Sequence, residues 1–259
     1  MSDQWHTITT PDGTAEAYVA RPSAEDDRAI DHSGVSNPGV LLFIDAIGVR
    51  PQIISMADRI ASWGYVVLVP NVLYRSGTIA QTSPDVPYLD AEARAAFLGA
   101  AMPRVHALTD DQVMSDGTAY IAALHALPGV GAGPVGLTGY CMGGRLALLT
   151  AATHPDDVAA VGMFHTGGLV TDSASSPHLR VAEVHAALLA IHADHDRSLP
   201  PEAVAQFEHA LTAAGVTHHT RVYPGAQHGY TMADTSIYNH DASEYHFTEL
   251  REEFARTLG

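Results

Sequence analysis

Apolar residues recur along the chain in two periods, and the switches between them mark out the elements. Thr14 to Ala20 alternates as a strand does and is led in by the turn Pro11-Asp12-Gly13. Val40-Leu41-Leu42-Phe43-Ile44 and Tyr65-Val66-Val67-Leu68-Val69 are short unbroken apolar runs, the form taken by strands buried on both faces. Pro70 ends the second of them. From Ile53 to Trp63 the apolar residues fall at helical spacing and stop at Gly64, a C-cap residue. The same reading predicts strands at Pro134–Thr138, Val158–Phe164, Ala187–Ile191 and His219–Tyr223. It predicts helices at Ala91–Ala101, Asp110–Leu127, Met142–Thr153, Pro201–Ala214 and Asp241–Leu258, with Pro103 interrupting after the first and Gly215 closing the fourth.

Strand and helix alternate throughout. That predicts an α/β protein with a mostly parallel central sheet and helices on both faces. No internal repeat and no linker divides the chain, so residues 1–259 are expected to form one domain. Residues 22–38 are polar and rich in turn formers, and read as a surface loop. Residues 71–110 begin irregularly and read as an insertion, a cap-like segment over one end of the sheet.

Composition narrows the class. There are 29 Asp and Glu against 13 Lys and Arg, a formal net charge of −16. Such a chain repels nucleic acid and anionic membranes, and no local basic patch overrides its field. The single cysteine, Cys141, excludes an internal disulfide framework and any multi-thiolate metal site. No stretch approaches the roughly 18 apolar residues of a membrane span, and no signal segment is evident, so a cytoplasmic protein is expected.

The chemistry concentrates at Gly139-Tyr140-Cys141-Met142-Gly143-Gly144, between a predicted strand and a predicted helix. This is a nucleophile elbow with cysteine where G-x-S-x-G has serine. A turn that sharp holds the nucleophile above the carboxyl edge of the sheet, and its flanking positions leave room only for glycine. The partners of such a nucleophile follow in the order acid, then histidine, each in a loop after a later strand. After Ala187–Ile191 comes His192-Ala193-Asp194-His195-Asp196-Arg197-Ser198-Leu199-Pro200; after His219–Tyr223 comes Pro224-Gly225-Ala226-Gln227-His228-Gly229. His228 is the candidate base, and an acid near position 196 would fix its tautomer.

These three motifs, in this order from about Pro38 to the C-terminus, resemble the dienelactone hydrolases (carboxymethylenebutenolidases), a cysteine branch of the α/β-hydrolase fold. The resemblance implies Asp196 rather than Asp194 as the triad acid, because the family's acid loop reads close to G-x-x-D-x-x-V-P. It implies an oxyanion hole from the backbone N–H groups of Met142 and Ala46. A family glutamate that pairs with the resting thiol is matched by the shorter Asp45. Of the family's two arginines that bind a substrate carboxylate, Arg75 matches the first; the second position falls in Thr231-Met232-Ala233, without arginine. Tyr140, beside the nucleophile, joins Asp45 and Arg75 as a candidate for substrate binding or gating. The function implied is hydrolysis of a small ester or lactone through an acyl-enzyme, with no cofactor.

Two other readings compete. The cluster His192, Asp194, His195 and Asp196 has the ligand chemistry of a zinc or manganese hydrolase. A low-pKa elbow cysteine also suits a non-catalytic redox sensor on the same scaffold. Neither explains the ordered set of elbow, acid loop and histidine loop.

Overall fold

The computed structural model describes residues 4–23 and 36–259; most of the predicted 22–38 loop lies outside them. Its centre is an eight-stranded sheet of β1 (Trp5–Thr10), β2 (Gly13–Ala20), β3 (Gly39–Phe43), β4 (Val66–Pro70), β5 (Val135–Tyr140), β6 (Val158–Phe164), β7 (Ala187–His195) and β8 (His218–Gln227). Their order across the sheet is β1-β2-β4-β3-β5-β6-β7-β8. The β1–β2 and β2–β4 pairs are antiparallel, and every pair from β4 to β8 is parallel. This is the α/β-hydrolase fold.

The apolar runs behave as their composition requires: every residue of β3 and β4 is buried, because helices cover both faces. On one face lie α1 (Pro51–Ala61) and α7 (His240–Thr257), joined by Trp63 edge-on to Phe247 and by the Arg59 guanidinium 3.9 Å over the same ring. On the other lie α4 (Asp110–His125), α5 (Met142–Thr153) and α6 (Pro201–Ala214). Gly215, in the left-handed conformation, closes α6.

Several boundaries differ from the expectation. β1 has no predicted counterpart: its sequence Trp-His-Thr-Ile-Thr-Thr buries only Ile8 and Thr10, as an edge strand can. A short helix, α2 (Ile79–Thr82), lies in the segment read as irregular, closed by Gln81 Oε1 accepting from the Thr78 N–H at 2.9 Å. α3 runs Ala91–Ala107, straight through Pro103. The carbonyl that Pro103 leaves without a helical donor belongs to Gly99, and both residues are exposed, so water can serve it. β7 and β8 each continue four residues past their predicted ends, paired as far as His195 with Gln227.

That extra pairing matters for the site. The parallel strands all point one way, so the loops after β3, β5, β6, β7 and β8 gather at one end of the sheet, where α/β proteins bind ligands.

Candidate active site

The turn from β5 into α5 forces Cys141 to φ 56° and ψ −118°. A side-chain-bearing residue in that region stores about 1–3 kcal/mol, held here by its surroundings. The Cys141 N–H donates to the Phe164 carbonyl at 3.1 Å. The glycines are sterically required: a Cβ on Gly139 would lie 2.1 Å from the Gly143 carbonyl oxygen, and one on Gly143 would lie 2.3 Å from that of Phe43. The elbow thus presses α5 against the end of β3 and lifts the sulfur into a cavity of about 1150 Å³.

Asp196 and His228 are the residues immediately after the last β7–β8 pair, which sets them side by side. The His228 Nδ1–H donates to Asp196 Oδ2 at 2.6 Å. Asp196 Oδ1 accepts from the Ser198 N–H at 2.8 Å and from the Ser198 hydroxyl at 2.5 Å. Burial opposes charge on Asp196, but the bonds from His228 and Ser198 outweigh it and hold the carboxyl below its ordinary value. Burial also opposes charge on His228. The charge of the Cys141 sulfur and the hydrogen bonds to Asp196 and Cys141 outweigh it and push the imidazole up to about 10. His228 therefore stands between Asp196 and Cys141. Asp194 instead accepts the Gly225 N–H at 2.9 Å and secures the bulge at the end of β8.

Ala46 follows β3 and Met142 opens α5, and both line the cavity beside Cys141. The Met142 N–H, at the first helical position, has no acceptor within the helix. Asp45 is not arranged to gate the thiol. Both of its carboxylate oxygens bind Arg50, at 2.7 and 3.0 Å, and Oδ1 also accepts the Ile47 N–H at 3.0 Å. One methylene shorter than glutamate, it is engaged by the adjacent guanidinium instead.

Arg75 is also displaced from its expected role. It does not line the cavity; its guanidinium pairs with Asp116 at 2.6 and 2.9 Å and with Asp12 at 2.7 Å. The cause is Asp116, a buried carboxylate on α4 that needs a cation. Tyr140 faces the core: fully buried, stacked on Phe164 at 5.5 Å, its hydroxyl 3.3 Å from His246 Nε2. Side chains alternate across a strand, so the residue before the elbow points away from the sulfur.

The residues of the metal reading do not converge. His192 is buried edge-on to Phe207, and burial, against the charge of Asp196, pushes it down to about 4. Asp194 and Asp196 bind Gly225 and His228, and His195 is exposed. Among the described residues no three His, Cys, Asp or Glu side chains could hold a metal ion.

Two cavity residues carry no local motif. Arg94, on α3, donates from Nη2 to the His228 carbonyl at 3.2 Å; its Nε is buried without a partner, and no carboxylate among the described residues lies within ion-pair distance. Leu98, Met102 and Val105 of the same helix form an apolar wall of the cavity. His165, after β6, is buried at φ 40°, with Nε2 2.8 Å from the Thr231 hydroxyl and its ring 5.3 Å from that of His228. Burial first, then the His228 charge, holds it well below the ordinary histidine value. Only the position of the 71–110 segment over the sheet end hinted at Arg94; nothing in the sequence singled out His165.

The strand order and the nucleophile elbow define an α/β hydrolase. The profile of the Dienelactone hydrolase family matches residues 24–258. A carboxymethylenebutenolidase homologue of Salmonella typhi is 31% identical over 270 residues, covering 97% of this chain and 92% of that one. The carboxymethylenebutenolidase of Rhodococcus opacus is 27% identical over 209 residues, 80% of this chain and 75% of that one. The crystal structure of a dienelactone hydrolase homologue from Klebsiella pneumoniae superposes with a TM-score of 0.80 at 24% identity, covering 97% of each chain. The chain belongs to the dienelactone hydrolase family, and so to the hydrolases that act on ester or lactone bonds of small molecules. Among the described residues no helix is long and apolar enough to cross a membrane.

Proposed function

We propose that this hydrolase works by covalent catalysis through a Cys141–His228–Asp196 triad. What carries the reading is the position of His228, bonded at 2.6 Å to Asp196 at the end of the adjacent strand and reaching Cys141. In the cycle we propose, the Cys141 proton rests on His228, whose pKa is raised to about 10. The Cys141 sulfur attacks the carbonyl carbon, and the N–H groups of Met142 and Ala46 receive the oxyanion. Collapse breaks the C–O bond, and His228 gives its proton to the departing alkoxide, which in a lactone stays tethered to the acyl group. Neutral His228 then takes a proton from water. The hydroxide attacks the thioester, and thiolate and imidazolium are restored. Asp196 holds the imidazole throughout.

The substrate we assign is a small ester or lactone bearing a carboxylate, received by Arg94 rather than Arg75. Arg94 is a cavity cation without a carboxylate partner among the described residues, in a chain of net charge −16. Where the cation is already neutralised, as at Arg75, a substrate anion has nothing to pair with.

The test is intact-protein mass spectrometry after brief exposure to an activated ester and to lactones. The wild type should show an acyl adduct on Cys141, and Cys141→Ala should show neither adduct nor turnover. Undiminished turnover in Cys141→Ala overturns the triad.

A further inference from the structure

Arg50 follows the oxyanion loop directly, yet it is 3% exposed and does not line the cavity. Its guanidinium is shared between two carboxylates far apart in the chain. Nη1 and Nη2 donate to Asp45 Oδ1 and Oδ2 at 2.7 and 3.0 Å, and Nε and Nη2 donate to Asp234 Oδ2 and Oδ1 at 2.5 and 3.2 Å. Nη1 also donates to the Gly48 carbonyl at 3.1 Å. Asp45 Oδ1 in turn accepts the Ile47 N–H. One planar group therefore fixes the loop on both sides of Ala46.

Asp234 carries the connection onward. Its carbonyl accepts the Leu89 N–H at 2.8 Å, and the Leu89 carbonyl accepts the Ser236 N–H at 3.1 Å. The stretch after His228 and the root of α3 are thus tied to the same guanidinium as the oxyanion loop.

Burying one guanidinium with two carboxylates is a costly way to fill space, and apolar side chains of the same volume are often as stable or more so. What the arrangement provides is geometry: a rigid fork holds two carboxylates at set positions, as a lysine point charge does not. Oxyanion donors need that, since they act only within about 2.7–3.1 Å of the developing charge. We propose that Arg50 is a positioning residue that sets the Ala46 N–H in the oxyanion hole, with Asp234 as the second anchor that fixes the guanidinium. The inference rests on Cys141 as nucleophile and Ala46 as oxyanion donor.

Two reactions of Cys141 separate this role from general support of the fold. Acylation by p-nitrophenyl acetate passes through an oxyanion. Alkylation by iodoacetamide displaces iodide at a saturated carbon and forms none, so it reports only the sulfur and His228. In Arg50→Lys the acylation rate should fall about 10- to 100-fold, the scale of an ångström-level misplacement, while alkylation stays within about twofold. Asp234→Asn, which keeps Arg50 paired with Asp45, should show a smaller loss in acylation alone, and it decides the question if Arg50→Lys does not fold. Unchanged acylation, or acylation and alkylation falling in parallel, overturns the inference. A wild type that gives no adduct on Cys141 overturns the nucleophile assignment, and this inference with it.

Discussion

The Ser198 hydroxyl lies 2.5 Å from Asp196 Oδ1 and 3.3 Å from His228 Nδ1, so one small side chain touches both the proposed acid and the proposed base. Together with the Ser198 N–H, it holds one oxygen of Asp196 and leaves the other to His228. The carboxylate is thereby fixed before substrate arrives, which is what an orienting acid must be.

Ser198→Ala should keep the fold and weaken catalysis. The backbone N–H remains, so only one bond to the charged carboxylate is lost, worth about 1.5 kcal/mol, or roughly a tenfold fall in kcat/KM. Asp196 should also titrate higher, moving the acidic limb of the pH–rate profile up. A profile displaced nowhere, with rates unchanged, would show that Ser198 does not hold the acid.

His228 makes stability depend on pH in a definite direction. Its folded value of about 10 lies above the ordinary 6.5. The stabilising contribution is therefore complete below about pH 6.5 and is lost as pH rises through about 10. The chain has no lysine to obscure that window. Thermal unfolding followed from pH 6 to 10 should show the wild-type Tm falling, with His228→Gln giving a flatter curve. Parallel curves would mean that the imidazolium is not held by Asp196 and Cys141.

The parts of this molecule that are legible in sequence are those whose cause is local. β3 and β4 are buried on both faces and must therefore read as apolar runs, whereas β1 buries two residues of six and leaves no pattern. The elbow is legible because its turn admits only glycine at Gly139 and Gly143, and those positions fall within one short stretch of chain. Arg75 shows where this ends. Its place after β4 suited an anion-binding arginine, but its direction is set by Asp116, 41 residues away. Arg50 and Asp234 are separated by 184 residues, and no motif links them.

Arg75 should accordingly matter for stability and not for turnover. Among the described residues, Arg75→Met leaves the buried Asp116 with only the Tyr74 hydroxyl, at 3.0 Å. Stranding a buried carboxylate costs about 3 kcal/mol even with that bond kept. Denaturant unfolding should show the loss, while kcat/KM of the folded fraction stays within about twofold for charged and neutral esters alike. A stable variant that hydrolyses only the charged ester poorly would return Arg75 to the substrate site.

Arg94 is the opposite case, since it touches the cavity and makes no ion pair among the described residues. Burial lowers its pKa, opposed by the charges of Cys141 and Asp45; a guanidinium is a cation all the same. A substrate carboxylate in the cavity would pair with its guanidinium through a charge-assisted bond worth about 1.5–3 kcal/mol. Arg94→Met should therefore lower kcat/KM for a carboxylate-bearing ester by about 10- to 100-fold, mostly through KM. The matched neutral ester should change little, because the fold loses only the 3.2 Å bond to the His228 carbonyl. Added salt should weaken the wild-type preference for the charged ester and leave Arg94→Met unaffected. Equal losses on both esters would mean that Arg94 serves the His228 loop and not the substrate.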